Sequence, residues 1–325
     1  MRSRRHLVLV FSALASVLPL CVVNGLPAQA PLLEQLTATV KADPAIDESQ
    51  LDGCVRLHHL WKAQIVAAGT PAPSREQQIV DTVFTPFQPF WSGYLGDMNT
   101  FTKWIRASKP IAEDPRLAVP TQMKVGALIV ETTRRLEQLA GRRACGEWFI
   151  VYGPGWTNLG GLGGGRMVLD VLGLPTSDPI GDVRFVMPHE LNHLLFSRPE
   201  ASGSLLYRMI DEGFASFVAD EYWGAGLSPA DALGYTEDQW RWAVEHETAL
   251  WQQALPNLAS TDRKILDRFS AVNQHVIEGA PGKIGYFLGY RIVEDFVRRN
   301  GSLSWRKLYE MPLDDLVSAT RFSRK

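Results

Sequence analysis

In "RFVMPHELNHLLF", residues 184–196, two histidines stand four apart and a glutamate directly follows the first. Residues four apart share a helix face, so His189 and His193 can point two imidazoles at one cation. Glu190 projects close by, placed to take a proton from a metal-bound water without being a ligand itself. Zinc lowers the pKa of such a water to about 7, and a neighbouring carboxylate makes it a nucleophile at neutral pH. The pentapeptide alone is weak evidence, because a helix-start histidine after Pro188 and a packed core histidine would look the same. The weight falls on a third ligand.

Catalytic zinc sites use three protein ligands and keep one position open. Glu212, in "YRMIDEGFASFVADEYW", follows His193 by 19 positions and stands among Met209, Ile210, Phe214 and Phe217. A carboxylate on such an apolar face is costly to bury without a partner, and coordination would supply one. The tetrahedral intermediate of a hydrolysis also needs a donor for its oxyanion. Tyr286 and Tyr290 in "KIGYFLGYRIV" and His275 in "VNQHVIEG" are the candidates, Tyr286 preferred by position. A ring that packs while its polar tip is satisfied is the competing account of each. His58, His59 and His246 are read as structural or solvent-facing.

These motifs resemble those of the gluzincin metallopeptidases, in which His-Glu-x-x-His is followed on the next helix by a glutamate ligand. "DEGFAS" is similar to the Asn-Glu-Gly-Phe-Ala box of the thermolysin-related aminopeptidases, and the 18-residue gap matches. The resemblance implies Zn²⁺ held by His189, His193 and Glu212, Glu190 as general base, and Asp211 orienting a ligand histidine. The Gly-x-Met-Glu-Asn signature that holds a substrate's free amino end in those aminopeptidases is missing; "GPGWTNLGGLGGGRMVLDV" stands upstream instead. The layout of most of the chain resembles a bacterial family of predicted zinc-dependent proteases of unknown substrate. In related peptidases an edge strand binds substrate beside the metal. Gly165, Arg166 and Val168 are the candidates for that role here, by strand addition. An ordinary turn before a core strand is the alternative. A phosphate loop is a poor reading of "GGLGGG", which precedes a strand and has no following Lys-Ser/Thr.

The elements that position these residues are mainly helical. Apolar spacings of three and four mark "LLEQLTATVKA", "CVRLHHLWKAQIVAA", "KVGALIVETTRRLEQLA" and five further stretches from Asp182 to Gly301, "TDRKILDRFSAVNQHVIEG" among them. Strand patterns fall in "EWFIVYG" and "RMVLDVLG", so the sheet is small. The aromatic-rich "FTPFQPFWSGYLGDMNTFTKWI" is expected to pack against the rest. Helices, a small mixed sheet with an edge strand beside the histidine helix, then helices again describe an α+β fold. The expected organisation is a signal peptide over 1–30, an N-terminal helical region over 31–144 and a zincin-like catalytic region over 145–325.

The signal reading rests on basic "MRSRRH", apolar "LVLVFSALASVLPLCVV" and the small-residue exit "NGLPAQA", with cleavage after Ala30 or near Gly25. Cys21 in "LPLC" is in place for lipid attachment, but Leu20 stands where a small residue is expected, so cleavage is preferred. Removal of this segment leaves 30 Lys and Arg against 35 Asp and Glu, a net charge of −5, with no basic run to hold nucleic acid. Cys54 and Cys145 can form a disulfide in an exported protein or remain separate thiols. The chain is therefore expected to be a periplasmic or secreted zinc metallohydrolase acting on peptide or protein substrate, with no membrane span after cleavage. The alternatives are a non-catalytic exported protein that binds a peptide or an envelope component on the same scaffold, and a zinc hydrolase of a non-peptide bond.

Overall fold

The computed structural model describes residues 54–68, 74–107, 115–196, 198 and 203–322. The expected signal segment with Cys21, and the helix read in "LLEQLTATVKA", lie outside them. The described chain is mainly helical with one small mixed sheet of four strands, an α+β fold. It divides into two compact units. A sheet unit joins residues 54–132 to Cys145–Met187, and a helical unit joins Thr133–Ala144 to residues 188–322.

The sheet unit opens with β1 (Val55–His58), then α1 (Leu60–Ala68), α2 (Ser74–Ile79), α3 (Gln88–Leu95), α4 (Met98–Ala107), α5 (Val119–Gln122) and the first half of α6 (Val125–Ala140). Three further strands follow, β2 (Gly146–Val151), β3 (Leu159–Gly163) and β4 (Arg166–Asp170), then the first half of α7 (Pro179–Phe196). The sheet order is β1-β2-β4-β3. β2 runs parallel to both β1 and β4, with Val55 opposite Gly146 and Glu147 opposite Arg166. Trp148 to Val151 are all buried, as an interior strand covered on both faces requires. β3 turns back antiparallel onto β4 through Gly163, Gly164 and Gly165, whose φ values of 77°, 61° and 74° are ones L side chains avoid.

Two expectations are corrected in this unit. The helix expected to start within "CVRLHH" starts later: Val55–His58 is a strand with Val55 and Leu57 inward, and the helix begins at Leu60. Cys54, Leu57, Leu60 and Trp61 stand at helical spacings of three and four, which masks the two inward positions of so short a strand. The edge-strand role assigned to Gly165, Arg166 and Val168 also fails, because β4 lies inside the sheet. Val168 faces Phe149 on one side and Gly160 on the other, and the Gly165 carbonyl accepts from Glu147 N–H at 2.8 Å. The edges are β1 and β3, and at β3 Leu159 N–H is taken by the Asn158 side chain at 2.7 Å.

The aromatic segment packs on β2 and β4 as expected. Phe90 lies flat on Phe149 with ring centres 4.1 Å apart, and Phe84, Trp91 and Phe101 fill in behind them. Each such buried ring contributes about 2–3 kcal/mol by transfer from water. A disulfide joins Cys54 to Cys145 at the starts of β1 and β2, a bond of the kind that persists in oxidising, exported compartments. At the other end of β4, fully buried Asp170 accepts four hydrogen bonds. They come from Gly153 N–H (2.8 Å), Gly155 N–H (2.8 Å), Leu172 N–H (3.1 Å) and the Tyr94 hydroxyl (2.7 Å). Burial raises its pKa to about 6 against the pull of those donors.

The helical unit holds the rest of α6 and α7, α8 (Leu205–Trp223), α9 (Pro229–Leu233), α10 (Glu237–Glu245), α11 (Glu247–Ala254), α12 (Arg263–Ser270), α13 (Ile284–Asn300) and α14 (Leu313–Ser318). Its central pair is α8 and α13. A Cβ on Gly213 would stand 2.1 Å from Tyr290 N, and one on Gly289 would stand 1.7 Å from Met209 O, so the two backbones touch where they cross. α12 stops at Ser270, short of the helix expected through "AVNQHVIEG". Ala271 is extended, and the segment folds on itself, with the His275 ring donating from Nδ1 to the Ala280 carbonyl at 2.6 Å.

Candidate metal centre

α7 carries His189, Glu190 and His193, and Pro188 sits inside the helix rather than at its start. α8 is capped by Ser204, whose hydroxyl accepts from Tyr207 N–H at 3.1 Å, and carries the adjacent Asp211 and Glu212 with Ser216 one turn beyond Glu212. All six belong to the helical unit. Glu212 Oε2 lies 3.3 Å from His189 Nε2 and 3.5 Å from His193 Nε2. Ligands of a tetrahedral zinc with bonds of roughly 2.0–2.1 Å stand about 3.3 Å apart, so these three atoms are spaced to share one ion. Ligand atoms of His189, Glu190 and His193 also lie within 4.8 Å of one another.

The other ring nitrogens are held from behind. His193 Nδ1 is 2.8 Å from Asp211 Oδ1, and His189 Nδ1 is 3.4 Å from the Ser216 hydroxyl, which donates to the Glu212 carbonyl at 3.0 Å. A partner on Nδ1 fixes ring orientation and leaves Nε2 for the metal. The donor set of two imidazoles and a carboxylate, with both rings oriented, fits zinc. His189, His193 and Glu212 would hold it, and the ion would supply a fixed positive charge with an open coordination position. Tyr286 closes one side: its ring is parallel to the His189 ring, 6.4 Å away, and its hydroxyl hydrogen-bonds the Glu212 carboxylate. The touching crossing of α8 and α13 allows this approach, since Tyr286 is one turn before Gly289 and Glu212 is next to Gly213.

Electrostatics follow from enclosing several ionisable groups together. Burial disfavours charge on His193, but Asp211 and Glu212 prevail and raise its pKa well above the ordinary histidine value. Burial likewise works against Glu212, yet the His193 charge and hydrogen bonds from both imidazoles hold it well below the usual carboxylate range. Burial lowers His189. It pushes Glu190 up to about 8, a neutral acid at pH 7 in the metal-free protein. A proton on His193 thus does part of the work a cation would do.

Other sequence candidates lie elsewhere. The Tyr290 hydroxyl donates to Asp220 at 2.8 Å, and His275 serves its own loop. His246 stacks on Trp242, His58 stacks on Phe149, and His59 Nδ1 accepts from Trp61 at 3.2 Å. Sequence reasoning missed Ser216 and Lys283. Ser216 could have been found as the residue one turn beyond Glu212 on the same face; Lys283 carries no local signal.

Residues 183–323 match the model of a family described as gliding motility protein GldB, less than half of the chain but including every residue of the cluster. No curated protein and no solved structure matches the chain. The family match overturns the gluzincin reading, and with it the expectation of a bacterial zinc-dependent protease: the segment that carries His-Glu-x-x-His fits a motility family and no peptidase family. The assignment as a hydrolase is corrected with it. The physical reason is that spacings of four on one helix and 19 to the next specify which atoms converge on a cation. They do not specify that anything is turned over there.

Proposed function

We propose that this chain is an exported, envelope-associated binding protein in which a divalent ion, zinc by the donor set, is held without catalytic turnover. His189, His193 and Glu212 hold the ion, Asp211 and Ser216 orient the imidazoles, and Tyr286 covers the carboxylate. Bound there, the ion ties α7 to α8 and offers an open position to a carboxylate or carbonyl of a peptide or envelope component. The observation that carries this reading is the family match over the cluster itself, described by motility and not by hydrolysis. The Cys54–Cys145 disulfide supports export, and no described helix is long and apolar enough to cross a membrane. The label of the matched family, GldB_lipo, favours a lipid anchor over plain signal cleavage, and Cys21 in "LPLC" is the residue to carry it.

Three measurements on the purified chain test this: zinc content, co-sedimentation with isolated cell envelopes with and without chelator, and incubation with a peptide library. The expected result is one zinc per chain, envelope retention lost on chelation, and no cleavage. Cleavage that disappears in Glu190→Gln would overturn the non-catalytic reading. Incorporation of labelled palmitate, lost in Cys21→Ser, is expected for the anchor.

A further inference from the structure

Lys283 takes no part in the site as described so far. It directly precedes α13 with φ 55° and ψ 34°, a left-handed backbone that costs a lysine roughly 1–2 kcal/mol. Its neighbours impose that conformation: Lys283 N–H donates to the Ala271 carbonyl at 3.1 Å, and Tyr286 N–H donates to the Lys283 carbonyl at 3.0 Å. The side chain turns inward and is only 5% exposed. Its Nζ donates to the Leu233 carbonyl at 2.8 Å and stands 5.1 Å from the centre of the Tyr286 ring. That ring in turn lies parallel to the imidazole of His189. Ammonium, phenol and ligand imidazole thus form one buried series, all within the helical unit.

Burial lowers the Lys283 pKa to about 8, with Glu212 pulling the other way, so the group is charged at pH 7. The same charge also acts on His189. We infer that Lys283 is a built-in competitor for the metal: its ammonium offsets the Glu212 carboxylate in the empty cluster and opposes a dication when one enters. The inference rests on the metal reading above. A fixed positive charge in a poorly screened interior lowers affinity for a second cation and makes the site exchangeable. A methionine of similar length would leave the packing and remove the charge.

The experiment is competition for zinc between the full chain and a fluorescent chelator at pH 7, for wild type, Lys283→Met and Lys283→Arg. Lys283→Met is expected to bind zinc at least tenfold more tightly and to unfold at a lower temperature when metal-free. Lys283→Arg is expected to stay within threefold of wild type. If Lys283→Met does not fold, Lys283→Gln is read in the same way. Zinc affinity in the neutral variant equal to or weaker than wild type overturns the inference while leaving the metal site in place. A wild-type chain that takes up no zinc overturns the metal reading and this inference with it.

Discussion

Asp170 in the sheet unit and Glu212 in the helical unit are both carboxylates taken out of water, and each is met by a different kind of partner. Asp170 is surrounded by three backbone N–H groups and a tyrosine hydroxyl, neutral donors fixed by the chain. They offset its burial only in part, and its pKa stays raised at about 6. Glu212 is met by two imidazoles, groups that exchange protons and bind metals, and its pKa falls well below the ordinary range. A carboxylate enclosed by fixed neutral donors closes a loop and has nothing to exchange. A carboxylate enclosed by titratable donors is half of a cation site. Burial alone therefore does not distinguish structure from function; the chemistry of the partners does.

The sharpest way to break this contrast is to remove each carboxylate and ask which property fails. Glu212→Ala should cut zinc affinity on the order of a thousandfold, about one ligand's share of a structural zinc site, as read by chelator competition. Retention of full zinc occupancy would show that Glu190 or another group is the third ligand. Asp170→Asn should leave zinc affinity within twofold and change folding stability instead. Its sign follows from the raised pKa: the Asp170 contribution is complete below about 3.8, the unfolded value, and is lost as pH rises through about 6. The advantage of wild type over Asp170→Asn in urea unfolding should therefore shrink between pH 4 and pH 7, by up to roughly 3 kcal/mol.

A smaller effect tests the support behind the imidazoles. Asp211→Ala should weaken zinc binding by about 10- to 100-fold. It should also flatten the pH dependence of binding. In wild type the raised pKa of His193 means its proton favours the metal-free fold at low pH and must leave as metal enters, so zinc affinity climbs with pH through neutrality. Without Asp211 less proton is displaced, which calorimetry in two buffers of different ionisation enthalpy would register. Ser216→Ala should have the smallest effect, less than about tenfold, because its contact to His189 is long at 3.4 Å. A larger loss there would mean that His189 depends on Ser216 as strongly as His193 depends on Asp211.

His189, Glu190, His193, Asp211, Glu212 and Tyr286 could all be named from the sequence because helical periodicity is a strong constraint: four residues make nearly one turn, and a carboxylate on an apolar face needs a reason. What those atoms do was not legible, since ligand spacing is shared by sites that turn over substrate and sites that do not. Helices with many apolar turns, such as α6, α8 and α13, were plain for the same periodic reason. β1 was hidden because four residues running into a helix carry too short a pattern. β3 was hidden because three of its five residues, in "LGGLG", are glycines with no side chain to mark a period, and with it went the identity of that sheet edge. Lys283 could not be seen, because its place beside Tyr286 depends on Ala271 and Leu233, which are distant in the sequence from the cluster.

The Cys54–Cys145 bond has a practical consequence for all of these measurements. It closes a loop of 91 residues, and a crosslink of that span contributes roughly 4–5 kcal/mol by restricting the unfolded chain. Material made in a reducing cytoplasm would lack that contribution in the sheet unit, and a thiol reductant added to protect a zinc titration would both cut the bond and compete for the metal. Zinc affinities and unfolding curves that can be compared across variants should come from chain oxidised in a periplasm and handled without thiols.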